Sequence, residues 1–325
     1  MSLGALLALG ACGGLPPPGM ADGGAASDGA VEADSGAVAD AATLGAETVE
    51  VPYLASDYQR VLAPAGGRYV NDHALVRGGD GRWHLIGITH DSQGMPQAER
   101  SFIHATAERL TGSWTELPDA LMATMPEQVL WAPHIFEREP GSWTMLYWGS
   151  TPDNQIQRAD SDDLLRWTRV MSPVPGGRDP HVARVGERWV VYSVGVRDSH
   201  GQIIATTSDD LTRWSPLTVV TEDPIPSFGW GNLESPFLVR RGAWFYLFVT
   251  RTSAAPADYD RTVVLRSADP LSFRWEPVTE LVGHACEVVE EDGREYLTSA
   301  GWTSQIGEDA RGLSIARLEW ATPPR

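Results

Sequence analysis

Five short stretches decide the fold: Val70-Asn71-Asp72-His73, Trp131-Ala132-Pro133-His134, Arg178-Asp179-Pro180-His181, Glu234-Ser235-Pro236-Phe237 and Gly283-His284-Ala285-Cys286. Each opens an apolar run that reaches a glycine-centred turn, followed by a second run rich in aromatic and β-branched residues. The step from the aligned position to the turn glycine is nine residues (Asp72 to Gly81, Ala132 to Gly141, His284 to Gly293) or seven (Asp179 to Gly186, Ser235 to Gly242). Self-similarity at intervals of this size marks propellers and related repeat folds.

A second pattern recurs downstream of each copy. It reads HATAERLTGSW (104–114), RADSDDLLRW (158–167), ATTSDDLTRW (205–214) and RSADPLSFRW (266–275), with a weaker fifth copy, SIARLEW (314–320). Each reads as a strand, a polar turn and a tryptophan that borders another strand. Strand-like runs at this frequency, with no long helical period, predict an all-β chain. Each unit then holds two hairpins, and five units around an axis make a five-bladed β-propeller. The units begin near 68, 127, 176, 230 and 281. Residues 51–62, VPYLASDYQRVL, are apolar enough to add a closing strand to the last blade, which would pair an otherwise open sheet edge. The thirteen tryptophans fit as packing between blades.

Upstream of residue 51 the composition is different. Residues 1–12, MSLGALLALGAC, form a short apolar stretch ending at Cys12. It looks like the lipobox of a bacterial lipoprotein signal, although no Lys or Arg precedes it. Residues 13–50 are mostly Gly, Ala, Asp, Ser and Pro and cannot bury enough apolar surface to offset chain entropy, so they read as a disordered tether. The tether carries seven acids and no base, which leaves −11 of the −18 net charge on the propeller, residues 51–325. An acidic domain of this kind excludes nucleic acid as the expected partner. There is no Cys/His spacing for zinc and no phosphate-cradling glycine loop. Cys286 is the only thiol after residue 12.

In a propeller the innermost strand of each blade lines a central channel, so the five motifs converge on one axial face. Asp72, Ala132, Asp179, Ser235 and His284 are expected in a ring there, with Asn71, Trp131, Arg178, Glu234 and Gly283 one step along. The acids Asp72, Asp179 and Glu234 thereby share one pocket. Glycoside hydrolysis needs one protonated and one ionised carboxyl about the scissile bond, and crowding carboxylates drives their pKa values apart. Trp131 and Trp230 flank the ring as aromatic faces for a sugar. Arg178 can bond a substrate hydroxyl or clamp Asp179. His134 and His181 follow the motif prolines and are expected to face the channel.

As a set these motifs resemble the inner-strand signatures of the five-bladed glycoside hydrolases, families 43 (arabinanases, arabinofuranosidases, xylosidases) and 32 (invertases, inulinases and other fructosidases). The likeness covers residues 65–320 in order. Asn71-Asp72 and Arg178-Asp179-Pro180 look like the fructosidase pattern, with His73 in place of its proline. Trp131-Ala132-Pro133 and Gly283-His284 look like family 43. The resemblance implies that Asp72 is the nucleophile or general base, Asp179 the transition-state stabiliser or pKa modulator, and Glu234 the general acid. It matches His284 to an axial histidine that in family 43 lies near a bound ion or water. No cofactor is otherwise implied, and no protein metal site.

The leading expectation is a monomeric, exported glycosidase acting on fructosyl, arabinosyl or xylosyl units of an oligo- or polysaccharide. A lipid on Cys12 would hold it to the outer leaflet of a membrane. Two alternatives use the same pocket. One is a carbohydrate-binding propeller without catalysis, for which an acid pair is unnecessary. The other is a transferase or phosphorylase; the latter needs a cationic phosphate site, toward which the pocket offers Arg178.

Overall fold

The computed structural model describes residues 49–91, 96–226, 232–252, 260–301 and 311–322. The lipobox at Cys12, the tether up to residue 48 and Trp230 lie outside the described residues. Two short strands come first, β1 (Val51–Leu54) and β2 (Gln59–Leu62). Four antiparallel meanders follow. They are β3 (His73–Arg77), β4 (Trp83–Thr89), β5 (Ser101–Ala107) and β6 (Thr115–Met122); then β7 (Trp131–Glu139), β8 (Ser142–Trp148), β9 (Ile156–Ser161) and β10 (Thr168–Val174). The third is β11 (Arg178–Val185), β12 (Arg188–Arg197), β13 (His200–Ser208) and β14 (Thr218–Glu222). The fourth is β15 (Leu233–Arg241), β16 (Trp244–Arg251), β17 (Arg261–Ser267) and β18 (Thr279–Val282). The last sheet starts with β19 (Val288–Glu291), β20 (Arg294–Ser299) and β21 (Leu313–Ala321).

That fifth sheet is completed from the other end of the chain. β1 pairs with the C-terminal half of β21, Val51 opposite Ala321 and Leu54 opposite Leu318. β2 pairs with its N-terminal half, Gln59 opposite Ile315. The expected closing strand is therefore present, split in two. One expectation is corrected here. The fifth copy of the second motif, residues 314–320, is a single strand and not a strand, turn and strand. The partner that the other blades supply from their own sequence comes instead from residues 51–62.

Packing follows the same cyclic order. Five apolar clusters each join two neighbouring blades. Leu85, Ile103, Tyr296 and Leu313 bind the fifth blade to the first, and Ile86, Phe102, Met145 and Tyr147 bind the first to the second. Leu146, Val182 and Val191 join the second and third; Tyr192, Ile203, Leu247 and Val263 the third and fourth; Tyr246, Phe248, Leu297 and Leu318 the fourth and fifth. Each fully buried side chain of this size contributes about 1.5–3 kcal/mol of transfer free energy. Tryptophans belong to these wedges as anticipated: Trp83 and Trp114 sit at the first, Trp143 and Trp167 at the second, Trp275 at the fourth.

Closure can be tested by truncation. A chain beginning at Ala63 lacks β1 and β2 and leaves β21 with an unpaired edge, and is expected to unfold without a sharp transition and to aggregate. A chain beginning at Val49 is expected to melt cooperatively. Equal melting curves for the two would show that the ring does not depend on this pairing.

Candidate active site

The five motifs form the entrances of the inner strands, and the local backbone explains why their side chains turn inward. Ala132, Asp179, Ser235 and Ala285 adopt left-handed φ values of 46°, 57°, 48° and 50°. Such a conformation costs an ordinary L-residue about 1–2 kcal/mol. It coincides with a break in pairing register between Trp131 and His134, between Arg178 and His181, and between Glu234 and Phe237. A bulge of this kind bends a strand and re-aims a side chain. In the first blade Asn71 N–H donates to Ile88 O and Ile88 N–H to Asp72 O, so two residues again face one. Asp72, Ala132, Asp179, Ser235 and Ala285 consequently line one axial pocket.

The fifth member of this ring differs from expectation. It is Ala285 and not His284, because the left-handed residue of the last motif falls one place later than its sequence alignment put it. His284 takes the place assigned to Gly283, in the column with Asn71, Trp131, Arg178 and Glu234. It is buried, and its N–H donates to Ser299 Oγ at 3.0 Å. In three motifs a proline follows the left-handed residue; in the last, Cys286 stands there and nothing in the sequence marks the frame. Among the described residues no group of three or more His, Cys, Asp or Glu side chains is arranged to hold a metal ion.

The three expected acids do come together. Arg178 Nη1 donates to Asp179 Oδ2 at 2.5 Å and its Nη2 lies 3.4 Å from Glu234 Oε1. The same Nη2 donates to Leu233 O at 3.0 Å, which fixes the guanidinium between the two acids. Ser235 completes the link: its N–H donates to Asp179 Oδ2 at 3.2 Å, and its hydroxyl donates to Asp72 Oδ1. The carboxyls are not equivalent. Asp179 is buried, whereas Asp72 and Glu234 keep partial access to solvent. Dehydration, reinforced by the charges of Asp72 and Glu234 and opposed by Arg178, pushes the Asp179 carboxyl up to about 7.

Where the motifs depart from the patterns they resemble, the structure gives local reasons. His73, which occupies the proline position of the fructosidase motif, lies within hydrogen-bond distance of Thr298 Oγ1 at 2.9 Å and of Asn71 O at 3.2 Å, tying the first blade to the fifth. Burial lowers its pKa and keeps the ring neutral. Asn71 is buried beside it. Trp131 stacks on Trp148, ring centroids 5.0 Å apart and planes 20° from parallel, and its Nε1–H donates to Pro96 O at 3.2 Å. His134 and His181 face the channel as expected; their rings are 4.4 Å apart.

Two acids were not anticipated. Glu287 reaches the axis two residues after Ala285, where Oε2 accepts Leu75 N–H at 3.0 Å and Oε1 lies 3.6 Å from His134 Nδ1. It had a detectable signal, since it holds the motif position of His134, His181 and Phe237 once the last motif is shifted by one. Glu99 had none, because it lies in a connection that does not repeat. It is 2% exposed, its Oε1 accepts the Tyr69 hydroxyl at 2.7 Å, and its carbonyl accepts Leu130 N–H at 2.9 Å. Dehydration pushes this carboxyl up to about 8, helped by the charges of Asp72 and Glu234 and opposed by the Tyr69 and Trp131 hydrogen bonds. A neutral carboxylic acid thus backs the site at neutral pH.

No family model matches this sequence, and no curated protein matches it. Solved structures share its fold. A thermostable family-43 glycoside hydrolase superposes with a TM-score of 0.59 at 16% identity, covering 81% of this chain and 92% of that one. The α-L-arabinanase of Cellvibrio cellulosa, complexed with arabinohexaose, gives 0.58 at 17% identity over 78% of this chain and 93% of that one. The family 32 β-fructofuranosidase of Bombyx mori gives 0.55 at 18% identity over 78% of this chain and 61% of the longer partner. At these identities the likeness is one of fold, the five-bladed propeller that both families share.

The Glu99 geometry makes a prediction. An unfolded Glu ionises near 4.5, whereas the native carboxyl holds its proton up to about 8. Unfolding therefore releases a proton in that window, and this group alone makes stability fall as pH rises, by at most about 1.4 kcal/mol per pH unit. Glu99→Gln, which keeps the shape and can accept the Tyr69 bond, should flatten that slope and gain stability over the parent at pH 8 relative to pH 5. Urea denaturation at the two pH values measures it; parallel slopes would mean that native Glu99 is already ionised.

Proposed function

We propose that this protein is a glycoside hydrolase acting on furanosides or related pentosides. One observation carries the reading. Asp72, Asp179 and Glu234, drawn from three blades, are joined through Ser235 and Arg178 into a single network at the mouth of the channel. Binding a neutral sugar requires hydrogen-bonding groups but no set of crowded carboxyls, whereas glycoside cleavage requires an acid and a base or nucleophile. Three of the solved structures that share this fold are by name a family-43 glycoside hydrolase, an arabinanase and a fructofuranosidase. Another is a β-xylosidase/α-arabinofuranosidase in complex with xylotriose, which supports the same range of sugars.

Glu234 is assigned as the general acid that protonates the leaving oxygen. Asp72 acts across the sugar ring as nucleophile or as base on water; the Ser235 hydroxyl holds one of its oxygens and leaves the other for the reaction. Asp179 supports both from behind. Buried and clamped by Arg178, it adds a carboxyl whose charge state bears on the other two. Trp131, braced by Trp148, offers an aromatic wall, and Asn71 and His284 stand in the column that flanks the acids. Export and a lipid on Cys12 remain part of the proposal on the strength of the sequence of residues 1–12.

The test is sugar release from sucrose, inulin, levan, arabinan, arabinoxylan and aryl furanosides. One sugar is expected from one class of substrate. Asp72→Asn and Glu234→Gln should each lower kcat by about 10²–10⁴ while leaving the melting transition in place. Wild-type turnover in either variant would overturn the assignments, and glycan binding without release by the parent would favour a binding module. The anomeric configuration of the first product, read by NMR, assigns Asp72: retention for a nucleophile, inversion for a base.

A further inference from the structure

Beneath the ring of acids the channel widens into a cavity of about 370 Å³ whose polar groups the proposed chemistry leaves unused. His134, His181 and Glu287 line its inner part; Arg184 and Arg240 line it farther along β11 and β15, toward the mouth opposite the acids. The volume is many times the roughly 30 Å³ that one water occupies in the liquid.

The hydrogen bonding around His181 defines what the cavity wants. Leu238 N–H donates to His181 Nε2 at 3.1 Å, so that nitrogen carries a lone pair and the neutral ring bears its proton on Nδ1. Burial and the neighbouring His134 keep the ring neutral. His181 is 4% exposed, and its Nδ1 has no hydrogen-bond partner. A buried donor left unmade costs about 1–3 kcal/mol, so its retention calls for an acceptor. A protonated Nδ1 cannot ligate a metal ion, and the missing partner must therefore present a lone pair. The two arginines point the same way. In a chain of net charge −18, neither Arg184 nor Arg240 makes an ion pair among the described residues. Arg184 lies over the Trp189 ring, 4.6 Å from its centroid, and Arg240 donates to Gly242 O and lies over Phe245. Both guanidiniums retain unused donors. Glu287 is the one carboxylate among the described residues lining the cavity, and Leu75 N–H and His134 already engage it at the end near the acids.

We propose that this cavity is a binding site for a small oxyanion, held between His181 Nδ1–H and the guanidiniums of Arg184 and Arg240. The cavity adjoins the hydrolytic pocket, sharing His134, Phe237 and Glu287 with it, and the proposal stands whether or not that reading holds. Arginine suits the task because its planar fork pairs with phosphate or carboxylate through two parallel bonds. The guest is a free inorganic anion or the carboxylate of a sugar acid.

The experiment titrates the whole protein with inorganic phosphate and, separately, with glucuronate at constant ionic strength, reading heat of binding and melting temperature. Arg184→Gln/Arg240→Gln is run in parallel; both side chains are exposed at the rim, so the variant should melt like the parent in chloride. The expected result is saturable binding of at least one probe by the parent, weakened tenfold or more in the variant, with a melting gain that follows the ligand concentration. Saturation by both probes identifies a general oxyanion site, and saturation by glucuronate alone identifies a sugar-acid site. Phosphate also stabilises proteins by exclusion from their surface. An equal melting gain in parent and variant, or heats that never saturate, would overturn the proposal.

Discussion

The site depends on a constraint at the entrance of each inner strand: a residue forced into left-handed backbone immediately before the strand becomes regular. Four of the blades show it directly, at Ala132, Asp179, Ser235 and Ala285. The bulge it creates turns one side chain toward the axis and the preceding one along the rim. Asp179 is the ring member of its blade and Glu234 the rim member of the next, so the same distortion delivers two carboxyls to one place by different routes. Ser235, the ring member beside Glu234, then bonds Asp72 and Asp179 together. An unstrained strand would place Asp179 elsewhere and separate the acids. Interblade packing holds the strain in place, with Val182 and Leu233 buried on adjoining sheets.

The electrostatics follow from depth. Asp72 and Glu234 face the opening, Asp179 lies under them, and Glu99 lies behind in its own dry pocket with Tyr69. One guanidinium, Arg178, pairs with Asp179 and Glu234, while Asp72 is held by the Ser235 hydroxyl. Crowding and burial favour the protonated form of the two deepest carboxyls, Asp179 and Glu99.

How much of this was legible in the sequence depends on repetition. The five-bladed order, the approximate starts of the units and the convergence of Asp72, Asp179 and Glu234 follow from patterns that recur, and the closing role of residues 51–62 follows from their apolar composition. Solved five-bladed propellers share the same architecture. The misreading of the last motif has the same origin. With Cys286 where three of the other motifs have proline, no residue marks the frame, and the pattern sets His284 in the ring and hides Glu287. The fifth tryptophan motif misled differently, because Trp320 ends a strand whose partner lies at the other end of the sequence. Glu99 was invisible for a third reason. Its role comes from burial against Tyr69 and Leu130, and burial of one acid among many leaves no mark on a single sequence.

The split closing strand bears on how the chain reaches this state. In the first four blades each strand pairs with its sequence neighbour, so those sheets assemble from local hairpins. The last blade alone needs partners from opposite ends: the Tyr53 hydroxyl meets Glu319 across 266 residues. Loop-closure entropy makes such contacts slow to form. Loop closure thus favours blade-by-blade growth first and ring closure late. During synthesis β1 and β2 emerge first and must wait, unpaired, for nearly the whole propeller to be made.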